Sequence, residues 1–518
     1  MTGSLVTVRP YLRVIATSDG DPATVLNSAD ANGTAHWKAG KDFRLYVQGV
    51  TAGDTPTVTQ NYLPGGLNLK VAMLAPTVAT TQAQPLAGNP GVFTVKARNG
   101  GNAAVITAGD AGGTGDMNAM LQLAALYSNG SMSNDGAAPY ALANYSEVGV
   151  LSITATDGDY YGQSISSNTA IVGRFTPDHF SVAFLVEPAL RNGTGDWSAI
   201  FTYMNQPFTF ATQPVLQVTA LNKDGGITKN YTGSFWKLTG AKILPAYTDL
   251  AKIAGDFEST AVAAKTGGLA IVDGTGGIGT ITINDTFTYK RRSGFQKPFA
   301  AQVKVGLQSL QSDGVTWGKT LADSDAVCHD NAADGVCDEI ASSTASGADI
   351  RFGCINLDEA AGAVGTDLVQ RVYMEYINSN GKRALNTDDS STRLVPALID
   401  LSSSLADPGP GVVTIEVATG ISTQVSVAGD TFNHGENALI FSKIDTAGYI
   451  DSTLAVKDVV GYEFARCDWD GDGVHDDNPP KKRSSFGVYK GQSNVKKGRI
   501  FVREVYDSGA AEEENLNK

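Results

Sequence analysis

A chain of 518 residues is too long for one ordinary hydrophobic core and implies three or four domains. With 42% apolar and 18% charged residues it is globular rather than disordered. A net charge of −14, from 39 basic and 53 acidic residues, argues against nucleic acid or an anionic membrane as the main partner.

The opening MTGSLVTVRPYLRV has neither the basic start nor the long apolar core of a signal peptide, and no stretch reaches the length of a membrane span. APTVATTQAQP, rich in Pro, Ala, Thr and Gln, predicts a border near residue 88. DMNAMLQLAALY from Asp116 puts Met117, Met120, Leu121 and Ala124 on one helical face, and it reads equally as a ragged strand. GVLSITAT from Gly149, PVLQVTAL from Pro214, TITIND from Thr280, QVKVGL from Gln302 and VVTIEV from Val412 alternate with period two, as half-buried strands do. Gly-rich punctuation (NGG, DGG, DGTGG, DPGPG) separates them, and the chain has 58 glycines in all. Further borders are predicted near 176, after GRFTPDHF, and near 348, after the acidic loop that holds Cys328 and Cys337. The expected architecture is all-β: several Ig-like β-sandwich domains in series, spanning 1–88, 89–176, 177–348 and 349–518, with helix a minor component. The tail DSGAAEEENLNK reads as an acidic end outside the fold.

The four cysteines, Cys328, Cys337, Cys354 and Cys467, contain no CxxC pair and complete no zinc spacing with the five histidines. An even number beside acidic, Gly-rich loops predicts two disulfides in an oxidising compartment. Cys328 and Cys337 would close a short loop, which leaves Cys354 and Cys467 to pair, although the sequence leaves the connectivity open.

Enzyme motifs fit poorly. GTGGIG from Gly274 has GxGxxG spacing, but the strand-like TITINDTFTY follows it where a phosphate site needs a helix, so a tight hairpin turn is expected. His179 in PDHF and His434 in FNHGEN stand near carboxylates without a nucleophile nearby in sequence. No enzymatic activity is expected.

The most specific local pattern is CDWDGDGVHDDNPP from Cys467. Asp468, Asp470 and Asp472 occupy loop positions one, three and five, Gly473 six and Asp476 nine, with the Val474 carbonyl available at seven. Clustered carboxylates repel unless water or a cation separates them, and this DxDxDGxxD spacing is that of a calcium loop. Pro479 stands where an EF-hand has its bidentate Glu, so calcium affinity on the order of 10⁻⁴ to 10⁻³ M is expected. A poorer copy has Asp330, Asp334 and Asp338 around Gly335, with Ala332 at the third position. It reads better as an acidic disulfide loop without metal.

Three stretches carry a family likeness: YSEVGVLSITATDGDYYG from Tyr145 onward to VGRFTPDHF from Val172; FTYMNQPF with VTALNKDGGITKNYTGSFWKL from Val218; and the closing DWDGDGVHDD, RSSFGVYKG and IFVREVY. Together they resemble the C-terminal domain, of unknown biochemical function, of MshQ-type proteins of the mannose-sensitive haemagglutinin (MSHA) pilus system. Cys354 stands where that pattern would put Arg, and Ser391 where it would put Cys. The resemblance implies an extracellular, cell-surface role attached to a type IV pilus, in adhesion or assembly, with pilus or surface-appendage proteins as partners and no direct membrane span. Two other readings stay open. One is a filament subunit that self-associates through β-strand contacts. The other is a carbohydrate-binding or carbohydrate-active surface protein, with Trp37, Trp197, Trp236 and Trp317 available to stack on sugars.

Overall fold

The computed structural model describes residues 11–76, 91–107, 113–116, 140–317, 341–403, 425–469 and 481–487, apart from short stretches inside these ranges. Among the described residues strand accounts for 59% and helix for 3%, so the expected all-β class holds. The described helical residues lie in single 3-10 turns such as Gly233–Phe235 and Glu463–Ala465. The chain divides into two compact units, Met1–Phe352 and Gly353–Lys518.

The first unit begins with a β-sandwich. Its five-stranded sheet runs Tyr11–Ser18, Phe43–Val50, Ala141–Tyr145, Val92–Lys96, Ala103–Thr107. The facing sheet runs Trp37–Lys38, Ala170–Thr176, Gly149–Tyr160, Leu67–Ala75, Gly113–Asp116, with Gln163–Ser166 paired to Gly149–Tyr160. Alternation creates the core: Leu12, Val14 and Ala16 from one strand, Leu67, Leu69 and Val71 from another, and Leu151, Ile153 and Ala155 from a third all point inward. Phe175 is fully buried between Phe43 and Tyr145, with ring centroids 5.6 and 5.3 Å away. Burying each such ring contributes roughly 1.5–3 kcal/mol. Residues on both sides of position 88, from Leu12 to Phe175, share this one core. The border expected there therefore falls inside a sandwich, because strands distant in sequence interleave within each sheet.

The sheets change between Thr176 and His179, where the strand Ala170–Thr176 ends and His179–Val186 begins in a nine-stranded sheet. That sheet also contains Val215–Leu221, Ile278–Ile283 and Phe299–Ser312, where period-two alternation predicted strands. A four-stranded sheet joins it through aromatic packing. Tyr289 meets Phe299 at 4.9 Å, and Tyr247 meets Phe287 at 5.0 Å. Ser342–Arg351 still pairs with Phe299–Ser312 here, so the division into units comes just after it.

The second unit has a five-stranded sheet built on Gly353–Leu357, Leu368–Ile377 and Glu436–Phe441, and a four-stranded sheet of Ala360–Gly362, Lys481–Phe486, Gly448–Leu454 and Ile399–Ser403. Phe441 and Phe486 bring the two sheets together, 5.7 Å apart and edge to face. Asp116 ends the strand Gly113–Asp116, while the rest of DMNAMLQLAALY and the stretch VVTIEV lie outside the described residues.

Candidate functional site

The sequence pointed to the closing acidic loop, and the structure describes its entrance. Cys354 and Cys467 form a disulfide across 113 residues of sequence and are fully buried. Just beyond it the Trp469 indole donates to the Ile355 carbonyl at 2.9 Å, and Arg383 donates to the Asp468 carbonyl at 2.6 Å. Asp468 itself is 8% exposed. Asp470, Asp472, Val474 and Asp476 lie outside the described residues, as do Cys328, Cys337, Asp330, Asp334 and Asp338. The next described segment is the strand Lys481–Phe486, whose Arg483 clamps Asp451 bidentately at 2.7 and 3.0 Å and lies 3.6 Å from the Tyr449 ring. Led by the Arg483 hydrogen bond, this contact holds the Asp451 carboxyl below its ordinary range.

The other singled-out residues take local roles. The strands Leu269–Asp273 and Ile278–Ile283 pair antiparallel, so the chain reverses between them, as expected of a hairpin around GTGGIG. Gly277 adopts φ +80° with the Thr228 carbonyl against it, and a Cβ on Gly279 would meet the Trp236 ring at 2.2 Å. Trp236 packs on Tyr231, 5.0 Å away. Lys41 lies 4.3 Å from the centre of the Trp37 ring. Trp197 lies outside the described residues, and Trp317 ends the strand Val315–Trp317. His434, at φ +52°, bonds through Nδ1 to the Thr387 carbonyl and through its N–H to Ser390 Oγ, pinning a loop.

Two of the stretches that carry the family likeness meet in space. Between Ala141–Tyr145 and Gly149–Tyr160, the turn containing Ser146 and Glu147 leaves the first sandwich and touches the segment from Asn222 to Tyr231 of the next. The Glu147 carboxylate is 2% exposed and accepts the backbone N–H groups of Lys229 at 3.0 Å, Asn230 at 3.1 Å and Val148 at 3.3 Å. Asn230 returns the contact, its amide donating to the Val148 carbonyl at 3.2 Å and to Met73 Sδ at 3.4 Å. Asn222 donates to the Ser146 carbonyl at 3.1 Å while its own Oδ1 caps Asp224 and Gly226, which fixes the NKDGG turn. Lys223 N–H donates to the Ala39 carbonyl at 3.0 Å, and Lys38 Nζ to the Asp178 carbonyl at 3.1 Å. His179 Nδ1 lies 2.9 Å from Asp178 Oδ2 at the edge of the same joint. The PDHF stretch thus touches the first sandwich through the Asp178 carbonyl, with the His179 ring held by the Asp178 carboxylate.

Burial raises the Glu147 carboxyl to about 7, although the three N–H groups and the Lys229 charge pull the other way. Sequence reasoning missed Glu147. Its signal was a lone carboxylate between Tyr145 and Val148 at the head of an apolar alternating run, a position where a merely solvated charge is out of place.

A cleft of about 580 Å³ opens beside Tyr11–Ser18, lined among others by Tyr11, Arg13, Asn27, Thr51 and Thr169. Asn27 stitches strand backbone there, accepting from Ala16 N–H and donating to the Val14 carbonyl.

Among solved structures, the chain is similar to the Escherichia coli adhesin FdeC (11% identity, 94% of this chain and 99% of that one, TM-score 0.27). It is also similar to invasin, a bacterial integrin-binding protein (12%, 92% and 60%, TM-score 0.20), and to the Yersinia pseudotuberculosis adhesin InvE (11%, 60% and 60%, TM-score 0.16). Likenesses this weak carry no argument about what this chain does. No curated protein matches it. Residues 147–344 match the third domain of DUF6701 and residues 351–505 the fourth, so the first match starts at Glu147 itself and includes the last strands of the first sandwich. Across these two consecutive stretches, the chain belongs to the DUF6701 family.

Proposed function

We propose that this chain is a non-enzymatic extracellular protein of the cell surface, acting in adhesion or in the assembly of a pilus-type appendage of the MSHA kind. The observation that carries the reading is the Cys354–Cys467 disulfide: a buried covalent tie across 113 residues belongs to a protein that matures where thiols oxidise. Within the first unit, two β-sandwiches joined by buried polar contacts supply stiffness, which a surface appendage uses. The likeness to MshQ-type sequences supplies the pilus class.

Labelling intact cells of the source bacterium with a membrane-impermeant reagent, then shearing off and purifying their appendages, tests this. The chain should be labelled and should co-purify with the sheared fraction. Recovery in the cytosol with Cys354 and Cys467 reduced would refute it.

The closing loop is proposed to bind calcium through Asp468, Asp470, Asp472, Asp476 and the Val474 carbonyl. Its entrance fits such a role: the disulfide, Trp469 and Arg383 fix the backbone where the carboxylates begin. At about 10 mM calcium, linkage to an affinity on the order of 10⁻⁴ to 10⁻³ M should stabilise the second unit by about 2 kcal/mol. Asp472→Ala should abolish most of that gain, and sodium chloride of matched ionic strength should not reproduce it. Superimposable melting curves in calcium and in chelator would leave the loop as a solvated turn.

A further inference from the structure

Among the contacts across the joint between the first two sandwiches is one buried carboxylate, that of Glu147. We infer that Glu147 is the clasp that holds these sandwiches as one body, and that the clasp tightens as the pH falls below neutral. Four observations converge on it. The carboxylate lies at the contact and is 2% exposed. Two of its three backbone donors, Lys229 and Asn230, come from the neighbouring sandwich. Asn230 and Asn222 reach back to carbonyls on either side of it, at Val148 and Ser146. Finally, the chain passes between the two sandwiches through the short Thr176–His179 connection, beside which Lys38 Nζ donates to the Asp178 carbonyl.

The charged and titratable groups facing Glu147 are the Lys229 ammonium across the joint and the Tyr145 phenol on its own side. The Asp178–His179 pair, with Lys38 and Lys223, forms the other polar group of the joint. Burial opposes the ionisation of Asp178, but the His179 hydrogen bond and the charges of Lys38, His179 and Lys223 outweigh it and keep this carboxyl below its ordinary value. Asp178 therefore stays ionised throughout the range in which Glu147 titrates.

The sign follows from burial. When the joint opens, Glu147 meets water and returns toward its ordinary value of 4.5; when the joint is closed, burial holds it near 7. Below about 4.5 both forms are protonated, and above about 7 both are ionised. Between these values the closed joint keeps a proton that the open one releases, so closure weakens as pH rises through this window. Three N–H donors leave the ionised clasp able to hold, only less firmly.

Hydrogen exchange of the full chain, read on peptides covering 222–232 and corrected for the intrinsic pH dependence of exchange, tests the clasp. Protection of these amides should fall about thirtyfold between pH 5.5 and 8.5, as a carboxyl moved from 4.5 to about 7 requires. Protection of the core strand Phe299–Ser312 should not change with it. Glu147→Ala should raise exchange at 222–232 by about tenfold or more through loss of the acceptor. Glu147→Gln, which keeps an acceptor and cannot titrate, should show the same protection at both pH values, and it carries the test if Glu147→Ala does not fold. Unchanged protection in Glu147→Ala would overturn the clasp. A pH dependence that survives in Glu147→Gln would overturn the titration of Glu147 as its source.

Discussion

Removing the Cys354–Cys467 disulfide, by Cys354→Ala with Cys467→Ala, should lower the stability of the second unit by about 4 to 5 kcal/mol. A loop of 113 residues lies at the long end of the chain-entropy relation, where closure of about 100 residues is worth about 4.7 kcal/mol. The bond ties Gly353–Leu357, in the five-stranded sheet, to the segment after the 3-10 turn Glu463–Ala465. The Trp469–Ile355 and Arg383–Asp468 contacts brace the same place, but hydrogen bonds contribute about 0.5–1.5 kcal/mol net each and disappear in the unfolded chain. Denaturant titration of the double variant, beside the wild type with and without reductant, measures the effect. The variant and the reduced wild type should coincide. A loss under about 1 kcal/mol would mean that the brace alone suffices and that the chain-entropy account fails here.

The second large effect is expected at Asp157. This carboxylate is fully buried inside the first sandwich and accepts from the Tyr62 hydroxyl at 2.9 Å, from Gly66 N–H at 2.8 Å, and from the N–H groups of Gly65 and Asp159. It therefore closes the loop before Leu67–Ala75 onto the far end of Gly149–Tyr160. Asp157→Ala removes the acceptor shared by the buried Tyr62 hydroxyl and the partly exposed N–H groups of Gly65, Gly66 and Asp159, a loss on the order of 3 kcal/mol. Tyr62→Phe removes one donor only and should cost about 1 kcal/mol. Thermal unfolding of the two variants separates these cases. Equal small losses would show that water reaches the loop and replaces the carboxylate.

Residues that face a core made the fold readable. The alternation in GVLSITAT, PVLQVTAL, TITIND and QVKVGL became the strands Gly149–Tyr160, Val215–Leu221, Ile278–Ile283 and Phe299–Ser312, because a half-buried strand imposes that period on its side chains. GTGGIG was read correctly as a hairpin from the strand that follows it. The border near 88 was not readable in this way. A Pro- and Thr-rich stretch looks the same whether it links two domains or crosses from one sheet of a sandwich to the other, and only the shared burial of Leu12, Phe93 and Phe175 distinguishes them. The joint was half visible. YSEVGV and LNKDGGITKN stood out as stretches, but their meeting depends on backbone N–H groups, which every residue but proline carries and which leave no mark on composition.

The long disulfide also governs how the second unit responds to tension. If its ends were pulled apart, the residues enclosed between Cys354 and Cys467 could not lengthen the chain, because load would pass through the sulfur–sulfur bond. Fully stretched, those residues would span roughly 400 Å at about 3.5 Å each. Force therefore finds a short, nearly inextensible element in oxidised protein and a long compliant one after reduction. In a single-molecule stretching trace, the difference would appear as a missing increment of contour length.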